Sequence, residues 1–439
     1  MKYDYFFKLA KEAGLEEVEL CIHQEYSLSF SIFHGEIENY SNNNAFEICA
    51  RGLLNGKLGA AACDVWDKTK AAYLVKEIVE NAKVIENDDP IFIYGGSDKY
   101  HKVNTFNKDL AKIPVKDKLN KLFELERLIK AYDEKITEVQ SVEYSETSMT
   151  NTIINTKGLK LIEKTNYFLF MGAALAKLGS QVKSSFKIAL GNDFSKFNVK
   201  ELADKIGKEA VEQLGGEPCE SKSYKAVLGP SVVASLISAY ISSANAEEVQ
   251  KKSSLFIGKL GQRVASRKVT IEDRPLMKTL FARWFDDEGV ATYNKPLIKG
   301  GILQTYLYNL TTAAKDGVET TGNAVGFGKS SVAPFFLFVK PGKKTREELF
   351  KGVSNGVFIT EVQGLHAGLN PQSGNFSLQA NGFRIENGKL GKALDVVTVS
   401  GNLMKLFTSV IEVGNDSEVF VSAKSCPSMV VKSLAVGGK

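Results

Sequence analysis

The pair Asn55-Gly56 stands between two apolar runs, and no other short segment constrains the fold of this chain as strongly. Asn-Gly favours the left-handed backbone that a two-residue hairpin turn needs, so the flanking runs are predicted to pair as antiparallel strands. In the second half, residues 298–303 and 385–390 indicate hairpins of the same kind. The sequence therefore predicts antiparallel pairing in both halves of the chain.

Helical spacing of apolar residues recurs four times in the first half, and strand-like runs lie between these segments. The predicted helices cover residues 2–13, 69–82, 115–132 and 199–214. The predicted strands cover residues 18–21, 27–33 and 45–50, and a further group lies within 136–190. In the second half, Thr345 and Glu348 have the spacing of a capping box and predict a short helix.

The length of 439 residues exceeds what one hydrophobic core usually serves, so two domains are expected. We predict an N-terminal α/β domain with antiparallel or mixed sheets over residues 1–220, with a subdivision near 86–114 left open. A C-terminal β-rich domain with few helices follows over residues 221–439. The predicted fold class is α+β.

A helix with a serine face is predicted at residues 230–243, where Pro230 suits the first helical position. Its apolar stripe consists of Val233, Leu236, Ile237, Tyr240 and Ile241. The other face carries Ser235, Ser238 and Ser242. Such a helix packs along one side and presents neutral hydroxyl groups along the other.

Several separated segments between residues 220 and 437 have the order and spacing of a known family. They are Phe285-Asp286-Asp287-Glu288-Gly289, Thr321-Gly322-Asn323, Gly364-Leu365-His366-Ala367-Gly368, Ser373-Gly374-Asn375, Glu386-Asn387-Gly388-Lys389 and Val413-Gly414-Asn415-Asp416. As an ordered set they resemble the TldD/PmbA family, long named modulators of DNA gyrase. Ser400-Gly401-Asn402 resembles the PmbA (TldE) branch.

The resemblance implies a division of roles between subunits. The TldD branch carries a His-Glu-x-x-x-His zinc helix at about residues 230–243, where this chain has Ile237, Ser238 and Ser242. It therefore implies no cofactor in this chain and zinc in a TldD-type partner. It further implies a heterodimer with that partner or a homodimer, and substrates that are unfolded or short peptides.

The histidines give no independent sign of a metal site. A zinc hydrolase needs converging ligands, usually two histidines on one helix and a third donor. The chain has His23, His34, His101 and His366, and none is paired at a ligand spacing. We predict no catalytic or metal-binding residue. His366 lies among glycines; bonding to local backbone partners or at an interface is favoured for it, a peptide contact comes second and metal ligation third. It is therefore a candidate peptide or interface contact.

Asp287, Glu288 and Asn323 are the remaining candidate peptide or interface contacts. The adjacent carboxylates could be taken for an acid/base pair, but both branches of the family have this segment, and a structural or subunit-contact role is favoured. Residues 322–330 resemble a phosphate loop, yet Asn323 stands where that motif needs glycine and a strand pattern follows. Cys426 is interpreted as a small buried residue.

Composition excludes several other classes of protein. A net charge of +5 without a basic cluster on one face argues against nucleic-acid binding. The five scattered cysteines contain no C-x-x-C pair, which indicates reduced thiols. The N-terminus has no signal-peptide pattern, and no apolar run reaches the ~18 residues of a membrane span, so we expect a cytoplasmic protein without a membrane partner.

Two functions remain from the sequence. The first is the non-metal-binding subunit of a TldD/TldE-like cytosolic metallopeptidase complex. The second is a stand-alone peptide-binding or scaffold protein without protease activity. Direct binding to DNA or gyrase rests on the historical name alone and has little support from the residues.

Overall fold

The computed structural model describes residues 3–86, 89–326 and 330–438. The protein is 41% strand and 25% helix, with antiparallel and mixed sheets and a strand-rich C-terminal part, which confirms the α+β class. The helices are α1 Asp4–Glu12, α2 Lys68–Val84, α3 Val115–Lys130, α4 Val199–Glu212, α5 Pro230–Ile241, α6 Ala246–Gln250, α7 Leu310–Asp316, α8 Arg346–Val353, α9 Leu365–Gly368 and α10 Leu403–Thr408. The strands are β1 Val18–Phe33, β2 Glu36–Leu54, β3 Lys57–Cys63, β4 Ile136–Asn155, β5 Lys160–Leu178, β6 Gln181–Gly191, β7 Lys222–Leu228, β8 Ile271–Asp273, β9 Lys295–Lys299, β10 Ile302–Leu303, β11 Ala324–Val325, β12 Ser331–Val332, β13 Leu337–Val339, β14 Gly356–Gln363, β15 Asn375–Glu386, β16 Lys389–Ala393, β17 Val397–Asn402, β18 Val410–Val413, β19 Glu418–Phe420, β20 Lys424–Cys426 and β21 Met429–Gly437.

The first half is built on one six-stranded antiparallel sheet with the order β3-β2-β1-β4-β5-β6. Asn55 and Gly56 both have positive φ, 50° and 73°, so the hairpin between β2 and β3 is confirmed. Strands β1 and β2 are 16 and 19 residues long, and the prediction of shorter strands was wrong. The polar residues 36–45 of β2 are exposed and carry no alternation that would reveal a strand.

Four helices bury two separate parts of this sheet. Helices α1 and α2 pack with Leu20, Ile22 and Ile48 near one end of β1 and β2. Helices α3 and α4 pack against Phe30 and Phe170 further along the strands. The first half therefore holds two hydrophobic clusters on a single sheet.

The segment 89–114 crosses from the first half onto the second. It has no α-helix or strand and contains one 3-10 turn, Leu110–Lys112. The Tyr100 hydroxyl donates to the Gly289 carbonyl at 2.7 Å, and the Thr311 hydroxyl donates to the Pro90 carbonyl at 3.0 Å. This segment, which we call the strap, thus ties residues of the second half to the first, while the domain boundary near residue 220 stays a prediction.

Five strands of the second half pair in a closed ring. Strand β14 pairs with β7 and also with β15, and β21 and β17 complete the circuit β14-β7-β21-β17-β15. Ala226 and Leu228 of β7 join the main hydrophobic core, while Val227 between them packs with α8 on the other face. The ring gives helix α5, which follows β7 directly, a rigid support.

A second sheet of six short strands lies beside the ring, in the order β10-β9-β8-β13-β20-β19. Its pairs are antiparallel except for β13 and β20, which run parallel with Leu337 opposite Lys424. The hairpin predicted at residues 298–303 is confirmed as β9 and β10. Among the described residues, no helix is both long and apolar enough to cross a membrane.

Candidate functional site

Helix α5 begins at Pro230, directly after β7, and has the two faces that the sequence predicts. All five residues of its apolar stripe are buried in the main core. The Tyr240 hydroxyl donates to the Val264 carbonyl, and its ring stacks on Phe407 with centroids 4.6 Å apart. The helix ends at Ile241, and residues 242–244 form a 3-10 turn, so the helix is slightly shorter than predicted.

A cleft of about 500 Å³ opens along the C-terminal turn of α5. Ser238, Ile241 and Ser242 form its helical wall. Leu337 of β13, Lys424 of β20 and Pro371 in the loop after α9 form the facing walls. The volume lies in the range of small-ligand sites, and the walls are mainly apolar with a few polar groups, as such sites usually are.

Two of the three positions that the family resemblance aligns with the zinc motif line this cleft and one does not. Ser238 and Ser242 line it, whereas Ile237 is fully buried in the core. On a helix, residues four apart lie on one face, while residues five apart diverge by about 140°. The Ser238 and Ser242 hydroxyls donate to the carbonyls of Ala234 and Ala239, at 3.0 and 2.8 Å.

The side chains around the cleft do not fit a zinc ion. Glu248 is the one His, Cys, Asp or Glu side chain among the described residues that line it. Across residues 3–86, 89–326 and 330–438, no three such side chains are grouped so that they could hold a metal ion. Zinc needs three or four converging ligands, and α5 offers only hydroxyl groups that already bond to its own backbone.

Asn323 lies behind one wall of the cleft and not on its surface. Its Oδ1 accepts from the Lys295 ammonium at 3.0 Å, and its Nδ2 donates to Asp273 at 2.8 Å and to the carbonyl of Ala333 at 3.0 Å. Asn323 is fully buried, and Ala333 lines the cleft. Asn323 therefore holds the wall in place, and a direct contact with a peptide stays a prediction.

Asp287 and Glu288 accept hydrogen bonds from nearby and following segments of the chain. Asp287 accepts from Arg283 at 2.6 Å and from the Gly326 backbone N–H at 2.7 Å. Glu288 accepts from the Leu310 backbone N–H at 2.8 Å and from the Ser330 hydroxyl at 2.6 Å. Both side chains are buried, and neither lines the cleft. In this fold they act as structural acceptors, and their part in a peptide contact or interface stays a prediction.

The preceding residue, Asp286, has a raised pKa. Burial, followed by the charge of Glu288, raises the pKa of Asp286 to about 7. Three backbone N–H groups, of Glu288, Val290 and Ala324, donate to it and partly oppose this rise. Asp286 thus closes the turn at Gly289 while it retains its proton to near neutral pH.

His366 lies on the short helix α9, which follows β14 through Gly364 in a left-handed conformation. Its side chain is exposed and is not among the residues lining the cleft. Pro371 and Gln372, a few residues later in the same connection, do line it. The structure therefore brings the loop after His366 to the cleft, and the predicted peptide contact of His366 itself remains untested.

Lys424 is a polar residue of the cleft that the sequence does not single out. It is half-buried on β20 between β13 and β19. Cys426, two residues on, is fully buried, which confirms its interpretation as a small core residue, and burial raises the pKa of its thiol to about 12. Nothing near Lys424 in the sequence indicates a site, because its neighbours in the cleft come from distant segments.

Family models match most of the chain. Residues 108–214 match the PmbA/TldA metallopeptidase central domain, and residues 221–438 match the PmbA/TldA metallopeptidase C-terminal domain. The second match contains α5 and every residue that lines the cleft.

Curated relatives and solved structures agree with these matches. The metalloprotease PmbA homolog of Buchnera aphidicola subsp. Baizongia pistaciae is 27% identical over 305 residues, which is 67% of this chain and 65% of that protein. A crystal structure from Thermotoga maritima, named as a modulator of a DNA gyrase, is 31% identical with a TM-score of 0.92 and 99% of both chains covered. TldE of Thermococcus kodakarensis has the same fold, with a TM-score of 0.92, 20% identity and both chains covered fully.

Proposed function

This chain belongs to the PmbA/TldD metallopeptidase family, and from that premise we propose that it is the subunit of a TldD/TldE-type peptidase complex that binds peptide without holding the catalytic zinc. Relatives named as metalloproteases support the peptidase part of the proposal. The likeness in fold to a TldE supports the assignment to that kind of subunit. Its place of action in this proposal is the cytoplasm.

One observation carries the proposal: the helix at the zinc-motif position lines a cleft with serines. Ser238 and Ser242 occupy positions that the resemblance aligns with metal-binding or catalytic residues of the TldD branch, and a cleft lies beside them. The helix is also held firmly, since its apolar face is buried in the main core. A cleft with mainly apolar walls and, among its described residues, one acidic side chain but no group of metal ligands suits the binding of a peptide, with the chemistry supplied by a TldD-type partner.

Co-expression tests this division of roles. The full chain is purified alone and together with a TldD-type subunit that carries His-Glu-x-x-x-His, and zinc content and cleavage of an unstructured peptide are measured for each. We expect zinc and peptidase activity in the complex and neither in the chain alone. Stoichiometric zinc together with cleavage by the chain alone would refute the proposal.

A partner subunit with its histidines replaced by alanine provides the matched control. This complex should assemble and lose both zinc and activity, because the chain described here supplies no substitute ligands. Serine-directed inhibitors should leave the activity of the intact complex unchanged, since the hydroxyls of Ser238 and Ser242 donate to backbone carbonyls and their described hydrogen bonds include none to a basic side chain.

The stand-alone binding function predicts a different result. The chain would then bind unstructured peptides by itself and fail to form a stable complex with any TldD-type subunit encoded in the same genome. Size-exclusion chromatography of the mixed subunits separates this outcome from the first.

A further inference from the structure

Lys424 lines the cleft, and its ammonium group has no acidic partner among the described residues. Its side chain is half-buried, and no described carboxylate lies within ion-pair distance of it. Burial lowers the pKa of Lys424, because the charged form loses part of its hydration. A cation in such a place is stabilised by any anion that enters the cleft.

Glu248, the other charged side chain of the cleft, does not neutralise the charge of Lys424. Glu248 lines the cleft, but its carboxylate accepts the Ser253 hydroxyl at 2.5 Å and does not pair with Lys424. Gln372 also lines the cleft, and its amide can donate a second hydrogen bond to an anion.

The surface of the cleft around Lys424 is mainly apolar. Leu337 lies opposite Lys424 in the parallel pair of β13 and β20. Ile241, Leu307 and Val332 line the same space. The cleft therefore combines one positive charge with room for an aliphatic or aromatic side chain, which suits a singly charged, partly apolar ligand and not a polyanion.

We propose that Lys424 binds a carboxylate of the peptide in this cleft while an apolar side chain of the same peptide packs between Ile241 and Leu337. The inference rests on the proposed peptide-binding function and names the group that orients the peptide. The carboxylate is either the C-terminal one or that of an acidic side chain next to an apolar residue.

Three matched peptides test the inference with the full-length chain in low salt. They are acetyl-Ala-Leu-Leu with a free carboxylate, the same peptide as its C-terminal amide, and acetyl-Ala-Asp-Leu amide. Dissociation constants are measured by isothermal titration calorimetry. We expect at least one carboxylate peptide to bind ten-fold or more tightly than the uncharged amide, and the one that does identifies the source of the carboxylate.

Two substitutions test whether Lys424 causes the preference for a carboxylate peptide. Lys424→Met keeps the length of the side chain and should abolish the ten-fold preference, whereas the exposed Lys432→Met should retain it. In the unmodified protein, a bound carboxylate peptide should protect Lys424, and not Lys432, from acetylation by acetic anhydride, as measured by peptide mass spectrometry. This second readout does not depend on the folding of any variant.

The outcomes separate the two proposals. Equal binding of all three peptides, or a preference that survives Lys424→Met, overturns the role of Lys424 and leaves peptide binding in place. Failure of all three peptides to bind the unmodified chain, with no protection of Lys424, overturns both.

Discussion

Removal of the Lys295 charge is expected to cost more stability than any surface substitution in this protein. The Lys295 ammonium lies 3.2 Å from Asp273 and 3.0 Å from the Asn323 side-chain oxygen, and all three side chains are buried. Lys295→Met preserves most of the side-chain volume, so packing changes little. It leaves the Asp273 carboxylate without its counter-charge and the Asn323 oxygen without its donor.

The size of the expected loss of stability follows from the contacts that Asp273 keeps after the Lys295→Met substitution. Its carboxylate keeps the backbone N–H groups of Phe335 and Phe336, both at 3.0 Å, and the Asn323 amide. These donors satisfy its hydrogen bonds but do not neutralise its charge. Breaking a buried ion pair by removing one partner costs about 3–5 kcal/mol of unfolding free energy. We take the cost of leaving the Asn323 oxygen without a donor to be included in that figure. Against a typical total of about 5–15 kcal/mol, this is a large loss.

Urea unfolding of the full chain, followed by tryptophan fluorescence, measures the effect. Trp284 is buried against residues of the first-half sheet and reports on unfolding. Lys299→Met is the matched control, because Lys299 lies on the same strand and is exposed, and we expect it to change the free energy of unfolding by less than about 0.5 kcal/mol. A loss of under about 1 kcal/mol for Lys295→Met, close to that of the control, would show that the cluster does not depend on the charge of Lys295.

Two further predictions concern Asp286 and the cleft. Because the pKa of Asp286 is raised to about 7 in the folded protein from an ordinary value near 4, the folded state holds an extra proton between about pH 4 and 7, and the free energy of unfolding falls as the pH rises through that window. Denaturation at several pH values should show this decline for the natural chain and a flatter profile for Asp286→Asn; parallel profiles would contradict it. Ser238→Leu should fill part of the cleft and weaken peptide binding by ten-fold or more, whereas Ser238→Ala should change it less than three-fold, since that hydroxyl bonds to its own helix. Equal titration curves for the two Ser238 variants would show that the peptide binds elsewhere.

Local signals in the sequence were enough to predict several elements of the fold. The left-handed Asn55-Gly56 turn and the capping box of Thr345 and Glu348 are both present as predicted, because each depends on residues within three positions of one another. The apolar stripe of α5 was predicted for the same reason, since it recurs at helical spacing over three turns.

Longer-range features could not be predicted in this way. The cluster of Asp273, Lys295 and Asn323 joins residues separated by 22 and 50 positions, and no local pattern marks them. Lys424 stands on a three-residue strand, and its place in the cleft is set by α5 and β13, which come from distant parts of the chain. The length of β2 was missed because its exposed polar residues give no periodic signal.

The closed ring of five strands affects whether this protein can aggregate together with the peptides that it is proposed to bind. Unfolded peptides aggregate by adding to unpaired strand edges, and an open sheet next to a peptide-binding cleft would offer such edges. Each strand of the ring β14-β7-β21-β17-β15 has a neighbouring strand on both sides. The backbone N–H and C=O groups along the paired segments are therefore already hydrogen-bonded. The ring of strands that supports α5 is therefore protected: the peptides that the cleft is proposed to bind cannot readily add to it and extend it into a mixed fibril.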